Sequence, residues 1–93
     1  VVYAFLSSLG FEVKAEDTTN TGRIDMALIG PSQIFLLEFK VDMPAEGALH
    51  QIKAKRYFDK YTAQGKAIYL IGIHFDRDKR NILGFAWEEY KGG

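Results

Sequence analysis

Three residues have types and spacing suited to metal-assisted chemistry on phosphate: Asp25, Glu38 and Lys40. Asp25 lies in the first of two β-rich runs, 23–29 and 34–39, Glu38 lies in the second with Lys40 just beyond it, and the runs flank Gly30-Pro31-Ser32-Gln33. A Gly-Pro-Ser cluster between two apolar runs marks a turn. With Pro31-Ser32 as the tip, residue 30 faces 33, 29 faces 34, 27 faces 36, and Asp25 faces Glu38. Directly opposed residues place their Cβ atoms roughly 5 Å apart. Lys40 lies two residues beyond Glu38, on the same face of the strand. Like charges across a ladder destabilise it, so this pair calls for a cation. Mg²⁺ or Mn²⁺ meets that need, since Mg²⁺ is held by one or two carboxylates plus waters and phosphate oxygens. A divalent ion there activates a water and offsets charge developing on phosphorus. A slip of one residue would separate the two acids, so the expectation depends on register.

The hairpin has two unlike faces. One carries Ile24, Met26, Leu28, Phe35, Leu37 and Phe39. The other carries Ala27, Ile29, Ile34 and Leu36 near the tip, then Asp25, Glu38 and Lys40 at the open end. Strand ends often carry solvated Glu and Lys, and a lone Glu-x-Lys is weak evidence of chemistry. The opposed Asp and the apolar strand leading into the charges strengthen it.

The surrounding elements follow from pattern. Val1, Phe5 and Leu9 recur at helical spacing, and Gly10 suits a helix stop. Residues 11–16 alternate as a half-buried strand. Residues 17–22, DTTNTG, read as a loop. Pairing of this strand with 23–29 would bring Lys14 or Glu16 near Asp25, with Glu16 a secondary carboxylate candidate. Arg23 would contact phosphate or neutralise the acids. A helix is expected from about Glu46 to Thr62 or Gln64, ended by Gly65. Its apolar stripe is Ala48, Leu49 and Ile52, extended by Tyr57, Phe58 and Tyr61. Lys53, Lys55, Arg56 and Lys60 make it basic. An ordinary solvated face explains those charges better than a nucleic-acid stripe. Residues 66–75 read as a doubly covered strand, parallel to 34–39 through the crossover. Gly72 marks a bend or a close backbone approach. His74 reads as core or surface rather than catalytic. Residues 76–80 form a polar turn into an antiparallel strand, 81–90, with Trp87 assigned to the core.

The blocks GRIDMALIG, IFLLEFKVD, ALHQIKAKRYFDKY and KAIYLIGIHFD, in this order, resemble the PD-(D/E)XK nuclease superfamily. They are most similar to the bacterial branch found behind an AAA-ATPase-like domain. The resemblance implies an α+β (α/β) fold in the order α-β-β-β-α-β-β, a mixed central sheet with a restriction-endonuclease-like core. It implies that Asp25 and Glu38 hold the metal, that Lys40 handles the attacking water, and that Gln51 orients a water or a phosphate. It implies a nucleic-acid substrate, most plausibly DNA. Its first helix often supplies an acidic residue, and positions 1–9 hold none. The competing reading is therefore a nuclease fold with an incomplete site, serving as a nucleic-acid or protein interaction module.

Bulk properties set the outer bounds. Ninety-three residues suggest a single domain, and the start in apolar sequence without Met suggests one excised from the C-terminal part of a longer chain. At 47% apolar it can build a core. Twelve basic and twelve acidic residues cancel, so attraction to nucleic acid must be local. With no cysteine there is no disulfide framework, which fits a cytoplasmic setting. No segment reads as membrane-spanning. A homodimer is a further expectation for so short a chain.

Overall fold

The computed structural model describes residues 8–19, 22–41 and 43–91. Five strands form one sheet whose spatial order follows the chain: β1 (Glu12–Thr19), β2 (Gly22–Ile29), β3 (Gln33–Lys40), β4 (Ala67–Asp76) and β5 (Asn81–Tyr90). The link between β3 and β4 carries an α-helix, α1 (Ala45–Lys55), and a 3-10 helix (Tyr57–Gln64). Only β3 and β4 run parallel. The other three pairings are antiparallel. The mixed α+β architecture matches the expected fold. The first helix falls on residues 1–7, outside the described residues. Ser8 is helical and Gly10, at φ +89°, stands where the stop was expected.

Near the tip the hairpin register is the one read from the sequence, but the ladder ends at Met26–Leu37 and the expected Asp25–Glu38 pair is not part of it. Ile29 faces Ile34, Ala27 faces Leu36 and Met26 faces Leu37. Gly30 N–H donates to Gln33 C=O at 2.8 Å, closing the Pro31-Ser32 tip. The core forms where Ala27, Ile29, Ile34, Leu36, Ile68 and Leu70 of the sheet meet Ile52, Tyr57, Phe58 and Tyr61 of the crossover. Ile24 departs from the expectation. It is fully buried within this core rather than grouped with Met26 and Leu28. The reason is an irregularity at Asp25, which has no ladder partner in β1 or β3. Opposite it Glu16 takes a left-handed φ of +55°, and the two-residue alternation loses a step.

The crossover corrects a second expectation. The single helix from Glu46 to Thr62 or Gln64 is two pieces, joined at Arg56 in the left-handed conformation. Arg56 N–H closes the first piece on the Ile52 and Lys53 carbonyls. In one unbroken helix Tyr61 would point about 180° away from Ile52. The joint lets Ile52, Tyr57, Phe58 and Tyr61 all face the sheet. Gly65 ends the second piece at φ +69°, as expected.

Three smaller differences concern the strands. β1 runs on to Thr19, through residues expected to form a loop, because it keeps pairing as far as Gly22. In β4 burial alternates at the start, with Tyr69 and Ile71 half-buried, where both faces were expected to be covered. Trp87, assigned to the core from its type, is 60% exposed, because β5 is an edge strand and the crossover packs on the other face.

Candidate active site

The tip of the hairpin is hydrocarbon on its core face, and the open end is not. Glu38 is only 4% exposed, the one buried charged side chain among the described residues. Two side chains hold its carboxylate, both at one oxygen. Gln51 Nε2 donates to Glu38 Oε2 at 2.9 Å. Lys40 Nζ forms an ion pair with the same oxygen at 3.4 Å. Glu38 Oε1 is buried and has no hydrogen-bond partner. Burial pushes the Glu38 carboxyl above its ordinary pKa and the charge of Asp25 pushes it further, while Lys40 and a backbone hydrogen bond from Asp25 pull it back.

Asp25 closes the end of the β2–β3 pairing. Its Oδ2 accepts the Phe39 N–H at 2.8 Å, so the side chain takes over where the backbone ladder stops. Asp25 is thus braced by the backbone next to Glu38, and its charge acts on the Glu38 carboxyl.

The helix reaches this end of the sheet because of Gly72. Gly72 is the β4 neighbour of Glu38. A Cβ there would collide with the Ala45 carbonyl and lie 2.7 Å from Leu49 N. The close approach expected from the sequence is thus the seat of α1, and that seat brings Gln51 over Glu38. Gln51 meets the carboxylate itself, where a water or a phosphate had been expected. The same Nε2 lies 3.5 Å from the Tyr57 hydroxyl. Tyr57 was read only as core. Its place beside Gln51 follows from the joint at Arg56, and the sequence carried no separate signal for it.

The secondary candidates are less engaged. The neighbouring pairs Ala15–Met26 and Asp17–Ile24 set Glu16 across from Asp25, but Glu16 is exposed. Arg23 is also exposed. His74 sits beside Lys40 across the parallel pair and is half-buried. On the crossover, Lys53 pairs with Glu88 at 3.2 Å and Arg56 with Asp59 at 3.0 Å, in keeping with a solvated face.

The donor set suits one hard divalent ion. Among the described residues no group of three or more His, Cys, Asp or Glu side chains is placed to hold a metal. Two carboxylates with a buried, unpaired oxygen are what Mg²⁺ or Mn²⁺ takes from a protein when water and substrate supply the rest. Among the described residues no helix is long and apolar enough to cross a membrane.

A protein from the region 5' of vnfD in Azotobacter chroococcum mcd 1, itself described as uncharacterized, is 46% identical over 90 residues. The alignment covers 95% of this chain and 17% of that protein. No solved structure gives a significant match. Residues 1–85 match the family model of the PD-(D/E)XK nuclease superfamily, and this chain belongs to that superfamily.

Proposed function

We propose that this domain hydrolyses phosphodiester bonds in nucleic acid, with DNA as the substrate and Mg²⁺ or Mn²⁺ held by Asp25 and Glu38. The observation that carries the reading is Glu38 Oε1, a buried carboxylate oxygen without a partner beside a second carboxylate. Leaving a charged acceptor unsatisfied is costly, and a cation is the natural complement. When bound, the ion supplies an activated water and charge stabilisation at phosphorus. Gln51 fixes the orientation of the Glu38 carboxylate. Lys40, anchored on Glu38 Oε2, presents a positive charge at the sheet end for the attacking water or a phosphate oxygen. We further infer a cytoplasmic setting and an ATPase-like domain upstream that delivers substrate. One observation favours the interaction-module reading: Asp25 has a structural task in accepting the Phe39 N–H at the end of the β2–β3 ladder.

Calorimetric titration of the chain with Mg²⁺ and Mn²⁺ tests the proposal. The expected result is binding that Asp25→Ala and Glu38→Ala each abolish, followed by metal-dependent cleavage of oligonucleotides that Lys40→Ala suppresses. Absence of metal binding in the unaltered chain would defeat the hydrolase reading and leave the interaction module.

A further inference from the structure

The strand farthest along the sheet carries a second message, independent of the hydrolase reading. Among the described residues β5 is paired on one side only, with β4. From Asn81 to Trp87 it has neither a charge nor a proline. Ile82, Leu83, Phe85 and Trp87 are 55%, 54%, 68% and 60% exposed. A long apolar edge with free N–H and C=O groups is a template for another strand. Natural proteins blunt such edges with lysine, proline, short strands or bulges. The register shift at His74/Phe75 disturbs only the beginning of β5, and pairing from Gly84 to Tyr90 is regular. Phe85 and Trp87 face the same side, opposite Ile73 and Ile71 of β4, and the Trp87 ring lies 6.1 Å from that of Tyr69.

The charges at the two ends of this strand select its partner. The turn leading into it carries Arg77, Lys79 and Arg80, all exposed, and its far end carries Glu88 and Glu89. Asp76, whose carboxylate accepts the Asp78 and Lys79 N–H groups, and Asp78 offset two of the three cations, and Lys91 offsets one of the two acids, which leaves the turn at +1 and the far end at −1. Two copies aligned in parallel would set like charges together at both ends. Two copies aligned antiparallel set the basic turn of each against Glu88 and Glu89 of the other, twice by symmetry. Glu88 and Glu89 touch Lys53 and Lys91 within one chain but stay 46% and 39% exposed at the side chain, open to a further cation. A net charge of zero adds no overall repulsion between copies.

We propose that β5 is a homodimer interface, in which two copies pair antiparallel along their free edges and join their Phe85–Trp87 faces into one apolar surface. Sedimentation of the 93-residue chain across a dilution series tests this, with hydrogen exchange at the β5 amides as a second readout. The unaltered chain is expected to dimerise, with β5 protection that fades on dilution. Two charge variants carry the specific test. Lys79→Glu/Arg80→Glu and Glu88→Lys/Glu89→Lys should each be monomeric alone and form mixed dimers when combined. Phe85→Lys, at an exposed position that spares the core, should be monomeric and folded. A chain that stays monomeric at every concentration overturns the proposal. So does a dimer that survives Phe85→Lys or is indifferent to both charge reversals.

Discussion

The two ends of the β2–β3 hairpin lie under the same crossover and are buried for opposite reasons. At the tip, Ala27, Ile29, Ile34 and Leu36 meet Ile52, Tyr57 and Tyr61 and remove hydrocarbon from water. At the open end the crossover covers Glu38, and burial there disfavours its charge. The tip holds the sheet together. The open end is an electrostatic cost that the tip's packing sustains. One stable layer therefore supports a site that would not be stable alone.

The comparison can be broken at either end. Leu36→Ala should have the largest effect, a loss of about 2–5 kcal/mol typical of emptying a fully buried Leu position. Denaturant unfolding measures it, and metal affinity in the folded fraction should be unchanged. Gly72→Ala comes next, at about 3 kcal/mol, the upper part of the overpacking range, because its contacts are backbone atoms of α1 rather than flexible side-chain ends. Unlike Leu36→Ala it should also weaken metal binding, by displacing Gln51 from Glu38. Equal metal affinity in the two variants would show that the seat of α1 does not organise the site.

Gln51→Ala should cost less, about 1.5 kcal/mol, near the lower value for hydrogen bonds to charged groups. It should also raise the pKa of Glu38 further, which carboxylate-resolved NMR titration reads directly. The smallest change is in pH dependence. The folded-state pKa of Glu38 lies above its ordinary 4.5, so the folded chain holds this proton more tightly than the unfolded one. The resulting contribution is present below pH 4.5 and is lost as pH rises through the folded-state pKa. Glu38→Gln should remove that decline, and saturating Mg²⁺ should offset it. Unfolding curves at several pH values, with and without Mg²⁺, check both.

Much of this arrangement was legible in the residues because it rests on short-range rules. The Pro31-Ser32 tip set the pairing of Ala27 with Leu36, while the direct opposition of Asp25 and Glu38 was lost where the ladder ends at Met26–Leu37. The intervening helix implied the parallel alignment of β3 and β4, and Gly72 announced a close backbone approach, though not its place beside Glu38. What escaped depended on tertiary contact. Nothing local announces the left-handed joint at Arg56, which exists because three aromatic side chains compete for one sheet face. The switch in alternation that buries Ile24 arises from Asp25 serving as an acceptor for a neighbouring strand. The exposure of Trp87 depends on which face the crossover covers.

The sequential strand order has a kinetic consequence. Every neighbour in the sheet is also a neighbour in the chain, and three of the four pairings are antiparallel and joined by brief connections. Only β3 and β4 must close a long excursion, from Val41 to Lys66, before their contacts can form. Loop closure of that kind is slow relative to hairpin formation. We expect β1–β3 and β4–β5 to assemble early as separate meanders, and the joining of β3 to β4 to set the folding rate. Glu38, Gln51 and Gly72 come from both sides of that seam. The candidate site would then be completed in the rate-limiting step, and substitutions at the seam should slow refolding more than equally destabilising ones within either meander.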